Sequence, residues 1–462
     1  MTYPATAPAH GERDQRVPLT VEQDFLCMWD KGDDMGPFGP RFHIVDGWRV
    51  SGPVDVAALR MALADVVAQH EVLRTAVVRG PGERYQEILE PSPPRLDILD
   101  LGDGDGDGTS RSRAERAEEL LNDIAADTIS VREMPLLRAV LGRFDADDAV
   151  LALIAHHTAV DAWSMQILMR DLTACYAARS AGRAPDLPAA VQYQDYARWQ
   201  EEQFGSGASG RSRGYWREKL HGASTLTFPT DRLRSAEPEF STSWYRFSYG
   251  AELSAATTEL AAALRCSPFM VLLAAFKLYV AGVRGATDVV VPTFTPGRAE
   301  VRFQETVGSF YNCLPLRTDL AGCATFRDVV ARTRATCLEA YTRELPFAHV
   351  LQEAPEFMAP AAVDGLANCV FQVIQTPHMM ERERVGDLEF SAIRTKVLSQ
   401  TVGSDIPDGT LLCLELDRTG ELIGEMGFSS NLYDAATIRT LIAEFREVLH
   451  AALTAPDAPL AL

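Results

Sequence analysis

Long apolar runs are missing from this sequence. The longest, Phe269 to Val283, is broken by Lys277 and Gly282 and is too short to cross a bilayer. The first 16 residues are polar and rich in Pro and Ala, without the apolar centre of a secretion signal. Positive charge is scarce: 44 Lys and Arg face 64 Asp and Glu, a formal net charge of −20, and only Lys31, Lys219, Lys277 and Lys396 are lysines. Such a balance argues against a binder of nucleic acid or of anionic membranes. The eight cysteines, from Cys27 to Cys413, include no Cys-x-x-Cys pair, and most sit in apolar runs. They read as reduced small hydrophobes, which predicts a cytoplasmic protein. Low complexity is absent too: 47% hydrophobic residues over 462 positions suffice for a substantial core.

The pattern of what is present divides the chain. Residues 1–16 read as a tail, 17–178 as a first unit, 179–214 as a linker region and 215–462 as a second unit. The best linkers are Ser180–Pro188, rich in Gly, Pro and Ala, and the Gly/Ser-rich Gly205–Gly214. In the first unit, helical spacing marks Val54–His70, Ala114–Ala126 and Ala162–Ala178, and Leu73–Val78 reads as a strand. Leu136–Phe144 and Val150–His157 read as two strands joined by the acidic turn Asp145–Asp148. In the second unit, Ser267-Pro268 opens a helix, Ser as cap and Pro where no donor is needed. The order strand, acidic turn, strand, Asp-Ala, helix occurs twice, in Leu136–Ala178 and in Leu411–Leu453. Setting Asp161 on Asp434 places Met165 on Ile438, Leu168 on Leu441 and Leu172 on Phe445, which points to duplication of one α+β unit.

The chemistry concentrates in Ala155-His156-His157-Thr158-Ala159-Val160-Asp161-Ala162-Trp163. The strand leading into it is apolar on both faces, as expected of one inside a sheet. Side chains alternate along a strand, so His156 and His157 diverge and do not share a metal. One can face a cleft while the other orients the local backbone. Imidazole is the side chain best suited to moving protons near neutral pH. A bland reading stands beside this: a strand histidine is often a satisfied core group, and Asp161 can simply cap the helix that begins at Ala162. Trp163, in the first turn, suits core packing or a channel wall equally. Asp103-Gly-Asp105-Gly-Asp107-Gly108 imitates a calcium loop, but its twelfth position is Ala114 instead of a bidentate Glu, so a solvated loop is expected and no metal is implied.

His156-His157-x-x-x-Asp161 resembles the signature of the condensation enzymes of nonribosomal peptide synthesis, relatives of chloramphenicol acetyltransferase. Further segments match in order: His70 to Thr75, Met134 to Arg138, Gln192 to Ala197, Tyr215 to Leu220, Pro229 to Arg232, Pro292 to Arg298, Val307 to Leu316, Pro346-Phe347 and Asn431 to Asp434. Each is weak alone; their order is specific. The segment from Asp30 to Arg41 resembles the enediyne-biosynthesis group of these enzymes.

The resemblance implies an α+β fold of two acetyltransferase-like lobes in a V, with a channel between them. It implies a peptidyl carrier protein that brings an aminoacyl thioester on its own phosphopantetheine, no cofactor bound by this chain, and a small-molecule acceptor. His157 would be the catalytic base facing the channel. His156 and Asp161 would be supports, with Asp161 paired to Arg298. The family usually has Gly where Ala162 stands; the backbone N–H remains available to an oxyanion. Trp163, Ser309, Tyr311 and Asn312 become candidates for the channel wall. The chain carries one such unit, without an adenylation or carrier segment, and a free-standing enzyme is expected. A non-catalytic docking module of the same fold is the alternative, disfavoured by the intact His157, Asp161 and Arg298.

Overall fold

The structure, a computed structural model, describes residues 16–80, 82–102, 111–205, 209–236, 241–374, 380–393, 396–417 and 420–460. The tail reading for 1–15 and the calcium-like 103–108 stretch lie outside the described residues. Two larger sheets organise the fold. The six-stranded sheet runs Glu383–Val385, Leu388–Ala392, His43–Ser51, Asp148–His156, Leu137–Arg143, Arg95–Asp100. The five-stranded sheet runs Thr227–Pro229, Leu366–Ile374, Thr410–Leu416, Leu422–Ser429, Thr242–Tyr249.

The strand Asp148–His156 lies inside its sheet, antiparallel to His43–Ser51 on one side and Leu137–Arg143 on the other. Val150, Ala152 and Ile154 pack under the helix Arg113–Ala126 with Leu120, Leu121 and Ile124. Leu151, Leu153 and Ala155 join the opposite cluster, with Val66 of the helix Val56–Gln69 and Met165 and Leu168 of the helix Ala162–Ser180. Each larger side chain buried here contributes about 1.5–3 kcal/mol. The double-sided apolar pattern therefore fixes where the strand ends, and with it the histidines. The same order of elements recurs at Thr410–Leu416, Leu422–Ser429 and the helix Ala435–Thr454. Met165, Leu168 and Leu172 are buried, as are Ile438, Leu441 and Phe445.

Three local readings are corrected. Strand Thr75–Gly80 starts two residues after the predicted Leu73, because Glu71–Arg74 forms a 3₁₀ turn. Within the expected Gly205–Gly214 linker, a helix begins at Gly210 and runs to Lys219, held by the buried Trp216, whose indole N–H donates to Arg343 O at 2.8 Å. The hairpin Glu383–Ala392, assigned by sequence to the second unit, pairs with His43–Ser51 of the first: Phe390 lies opposite Val50, and Leu388 and Phe390 are buried in the first unit's core. Two apolar side chains on a short charged strand carry no local sign of a partner more than 300 residues away.

All eight cysteines are unpaired. Among the described residues no single helix is long and apolar enough to cross a membrane. The apolar helices Gly250–Leu264 and Pro268–Arg284 meet at a bend of 106°. Ser267 caps the second, accepting from Met270 N at 3.3 Å.

Lys277 sits on that helix with no exposed surface, in the largest apolar cluster, and donates to Thr318 Oγ1 at 2.6 Å. Burial pulls its pKa from 10.5 down to about 7. Between these values the unfolded chain binds a proton that the folded chain does not, so stability should rise with pH from about 7 towards 10. Lys277→Met should flatten that slope and stabilise the fold by about 1–3 kcal/mol, because an apolar side chain replaces an ionisable one without a counter-ion. Denaturant melts across this pH range provide the check; an unchanged slope would contradict it.

Candidate functional site

The double-histidine motif closes the strand Asp148–His156, and its two rings part company. His156 is fully buried. Its Nε2 lies 3.1 Å from Gly39 O and its Nδ1 2.9 Å from Thr158 Oγ1. A carbonyl only accepts, so Nε2–H donates to Gly39 O, and Nδ1 accepts from the Thr158 hydroxyl. Burial lowers its pKa to about 3, so the ring is neutral. His43, its partner across the strands, donates from Nδ1 to Pro40 O at 3.1 Å, and burial lowers it to about 4. These two neutral histidines tie the segment Gly39-Pro40 to the sheet. Just before it, Arg79 lies 3.8 Å over the Phe38 ring and pairs with Asp30 and Asp33. The Asp30–Arg41 stretch is thereby fastened beneath the motif.

His157 is half-buried and held differently. Its backbone N–H donates to Phe42 O at 2.9 Å. Its ring stacks on Phe42, with centroids 4.9 Å apart at 18°, and meets the edge of Tyr311 at 5.3 Å. Nδ1–H donates to Val160 O at 2.8 Å, while Nε2 has no hydrogen-bond partner among the described residues. Burial lowers its pKa below the ordinary histidine value. The result is a neutral imidazole with a fixed tautomer and a free lone pair on Nε2, the state a general base requires. Ala162 begins the next helix and is exposed, so its backbone N–H belongs to a first turn whose donors the helix itself leaves open.

Asp161 does both things the sequence allowed. It caps the helix Ala162–Ser180, accepting from Ser164 N at 2.7 Å. It also pairs with Arg298, whose Nη2 donates to Oδ1 at 2.9 Å and to Oδ2 at 3.1 Å. Both side chains are buried. Arg298 Nη1 donates to Phe303 O and Thr306 O at 2.9 and 2.6 Å, and its guanidinium lies 4.0 Å over Phe310. Ser164, which sequence reading missed, completes the junction: its hydroxyl accepts from Arg298 Nη2 at 2.8 Å and from Gly308 N at 3.0 Å, and donates to Gly308 O at 2.8 Å. Its position three residues after the helix cap was the available signal. A Cβ at Gly308 would fall 2.2 Å from Tyr193 Cδ2, so only glycine fits where this loop crosses the Tyr193 ring.

The channel candidates separate. Tyr311 touches His157. Trp163 is half-buried and turns its indole N–H to Gln304 O at 3.0 Å, bracing the loop that carries Arg298. Ser309 is buried, its hydroxyl has no partner among the described residues, and its carbonyl accepts from Tyr193 OH at 2.7 Å. Asn312 is held as a clamp: its Nδ2 donates to Glu344 Oε1 and Leu345 O at 3.0 and 2.9 Å, and its Oδ1 accepts from Cys313 N and Phe347 N at 2.9 Å. No amide group is left to offer a substrate. Among the described residues no three His, Cys, Asp or Glu side chains stand together to hold a metal ion.

The family model described as "Condensation domain" matches residues 47–461. The chain belongs to the condensation-domain family. It is 32% identical over 434 residues to CymA, a probable non-canonical nonribosomal peptide synthetase of Salinispora arenicola, covering 89% of this chain and 5% of that protein. Across eight such relatives the chain spans 5% to 39% of their length. Among solved structures it resembles SgcC5 of Streptomyces globisporus, complexed with (R)-(-)-1-(2-naphthyl)-1,2-ethanediol and sucrose. The identity is 47%, the TM-score 0.91, and the match covers 96% of this chain and 100% of that one. It also resembles the X-domain of teicoplanin biosynthesis in its complex with OxyB, at 25% identity and TM-score 0.71, covering 98% of this chain and 97% of that one. The mixed α+β fold is thus of the chloramphenicol-acetyltransferase type that condensation domains share.

Proposed function

We propose that the chain is an acyltransferase of natural-product biosynthesis, which condenses a carrier-tethered aminoacyl thioester with an alcohol or amine acceptor. The observation that carries this is His157: a neutral ring with Nδ1–H engaged by Val160 O and a free Nε2. In this reading the acceptor enters beside Nε2, which takes its proton as the acceptor heteroatom bonds to the thioester carbonyl carbon. The oxyanion that forms accepts from the Ala162 backbone N–H. Collapse breaks the C–S bond, and the phosphopantetheine thiolate leaves on its carrier with the proton returned from His157. The phosphopantetheine belongs to the carrier, and the chain binds no cofactor of its own. The diol bound to SgcC5 supports an alcohol acceptor, and so an ester product, for this chain; the Asp30–Arg41 segment is what supports a place in the enediyne group. Incubation with carrier-loaded amino acids and candidate diols or amines, followed by mass analysis, tests the proposal; hydrolysis of the thioester without a coupled product would overturn it.

A second reading has a specific observation behind it. The similar X-domain was solved in complex with OxyB, so this fold also serves as a docking partner. A pure dock has no use for a free imidazole with a fixed tautomer, and this favours catalysis.

Carrier docking gives a further expectation. The arm is anionic and this chain carries −20, so long-range attraction is weak and the contact must be mainly apolar. Affinity for the loaded carrier should change only shallowly with salt. A steep loss of binding with added salt would replace apolar contact by a local arginine patch.

A further inference from the structure

A cavity of about 110 Å³ lies beside the site, between the helices Val21–Cys27 and Tyr193–Gly205 and the loop that carries Arg298. The two are linked along the chain: Asn312 lines the cavity, and its sequence neighbour Tyr311 stands edge-on to His157. Gly297 and Ala299, either side of Arg298, line it as well. Its walls combine the aromatic rings of Tyr196, Trp199 and Phe303 with three carboxylates, Glu22, Glu300 and Glu344, and no basic side chain among the described residues lines it.

Glu22 is the anomaly. It is 92% buried, yet its partners are neutral: Gln200 Nε2 donates to both oxygens at 2.9 Å, and Tyr196 OH donates to Oε1 at 3.3 Å. Burial raises its pKa to about 7. Two other buried carboxylates have a cation: Asp161 has Arg298, and Asp171 has Arg170. Glu344 accepts from Thr295 Oγ1 at 2.7 Å and from Asn312, again neutral donors. Glu300 is exposed at the rim. Aromatic faces attract cations. The same rings already do so outside the cavity, where the Arg302 guanidinium lies 4.6 Å from Phe303 and 5.6 Å from Trp199. A void with uncompensated carboxylates and aromatic walls is complementary to a small organic cation.

We propose that this cavity receives the ammonium group of the carrier-tethered aminoacyl donor, an assignment that rests on the condensation reading above. The chemistry selects the donor. An attacking amine must be neutral at His157, so the amine that stays charged and needs a counter-charge is the one that does not react. An ammonium held next to Glu22 would also favour ionisation of that carboxyl.

The test uses the whole chain and two ligands of one shape, benzylamine, which is an ammonium near neutral pH, and benzyl alcohol. Trp199 in the wall makes fluorescence a local readout alongside calorimetry. Benzylamine should bind saturably, benzyl alcohol at least about tenfold more weakly, and Glu22→Gln should remove about tenfold of the benzylamine affinity, the range of one hydrogen bond to a charged group. Glu344→Gln should weaken it in the same direction. In turnover, a carrier-loaded amino acid should have a lower KM than the same acid lacking its amino group. Equal binding of the two ligands, or Glu22→Gln without effect on benzylamine in a protein with wild-type melting, would overturn the assignment. Binding is measured without catalysis, so absence of any condensation product would sink the functional reading and leave this result standing on its own. Efficient condensation with no preference for the amino group would do the reverse.

Discussion

His157→Ala is expected to lose about 10²–10⁴-fold in condensation rate, the ordinary range for general-base help. The geometry gives the reason. Val160 O holds the proton on Nδ1, Phe42 stacks on one face and Tyr311 meets the ring from the side, so Nε2 is presented in one orientation. Alanine removes the base and leaves the strand that carries it, whose burial depends on Leu151, Leu153 and Ala155. Melting should therefore move little, and a variant that condenses at the wild-type rate would refute the base. Burial lowers the His157 pKa below 6.5, so the neutral form persists into mildly acidic solution. The acid limb of kcat/KM should fall below that value and vanish in His157→Ala. An alcohol acceptor should suffer more from the substitution than an amine, because a neutral hydroxyl is the poorer nucleophile.

His157→Gln separates proton transfer from positioning. Glutamine can still accept or donate a hydrogen bond at the acceptor but cannot take its proton. A rate close to that of His157→Ala points to the base; substantial recovery points to orientation.

How much of this was legible in the sequence depends on range. The strand Asp148–His156 could be read because both of its faces are apolar, and its end placed His157. Asp161 as a cap could be read from its position before Ala162, because capping is local. The pairing of Asp161 with Arg298 could not be derived from pattern, since 137 residues separate them; it came from the family resemblance. Ser164 lay within reach of local reasoning, three residues after the cap, yet its tie to Gly308 is tertiary. Phe42, the stacking partner of His157, gave no local sign, because the strand that follows it reaches the motif only through sheet pairing. The hairpin Glu383–Ala392 escaped for the same reason. For Asn312, its place in the VGSFYNCLPL segment was visible, but not the four hydrogen bonds that occupy its amide.

The second large effect belongs to the buried pair. Arg298→Ala should destabilise the fold by roughly 3–5 kcal/mol, because it strands the Asp161 carboxylate in the interior and removes the donors to Phe303 O and Thr306 O. Asp161→Ala should cost a similar amount, with about 1 kcal/mol of it from the lost cap. Asp161→Asn separates the two roles, since an amide oxygen still accepts from Ser164 N while the charge is gone. If the cap is what matters, Asn behaves like wild type; if the pair matters, it falls close to Ala. The double variant Asp161→Ala/Arg298→Ala should be milder than the sum, because no orphan charge remains, and the coupling should exceed the ~0.5 kcal/mol within which independent sites add. The second strand–turn–strand–helix stretch, Thr410–Leu416, Leu422–Ser429 and Ala435–Thr454, supplies the control. There Asp434 stands where Asp161 does and pairs with Arg232 at 2.6 Å, but at an exposed position. Breaking that pair should cost only about 0–1 kcal/mol. Denaturant melts of Asp161→Asn and Asp434→Asn side by side decide the matter: a large loss in the first and little in the second is expected. Equal small losses would reduce Asp161 to a helix cap and leave Arg298 without the part given to it, which is to hold the loop 297–310 against the strand end that carries His157.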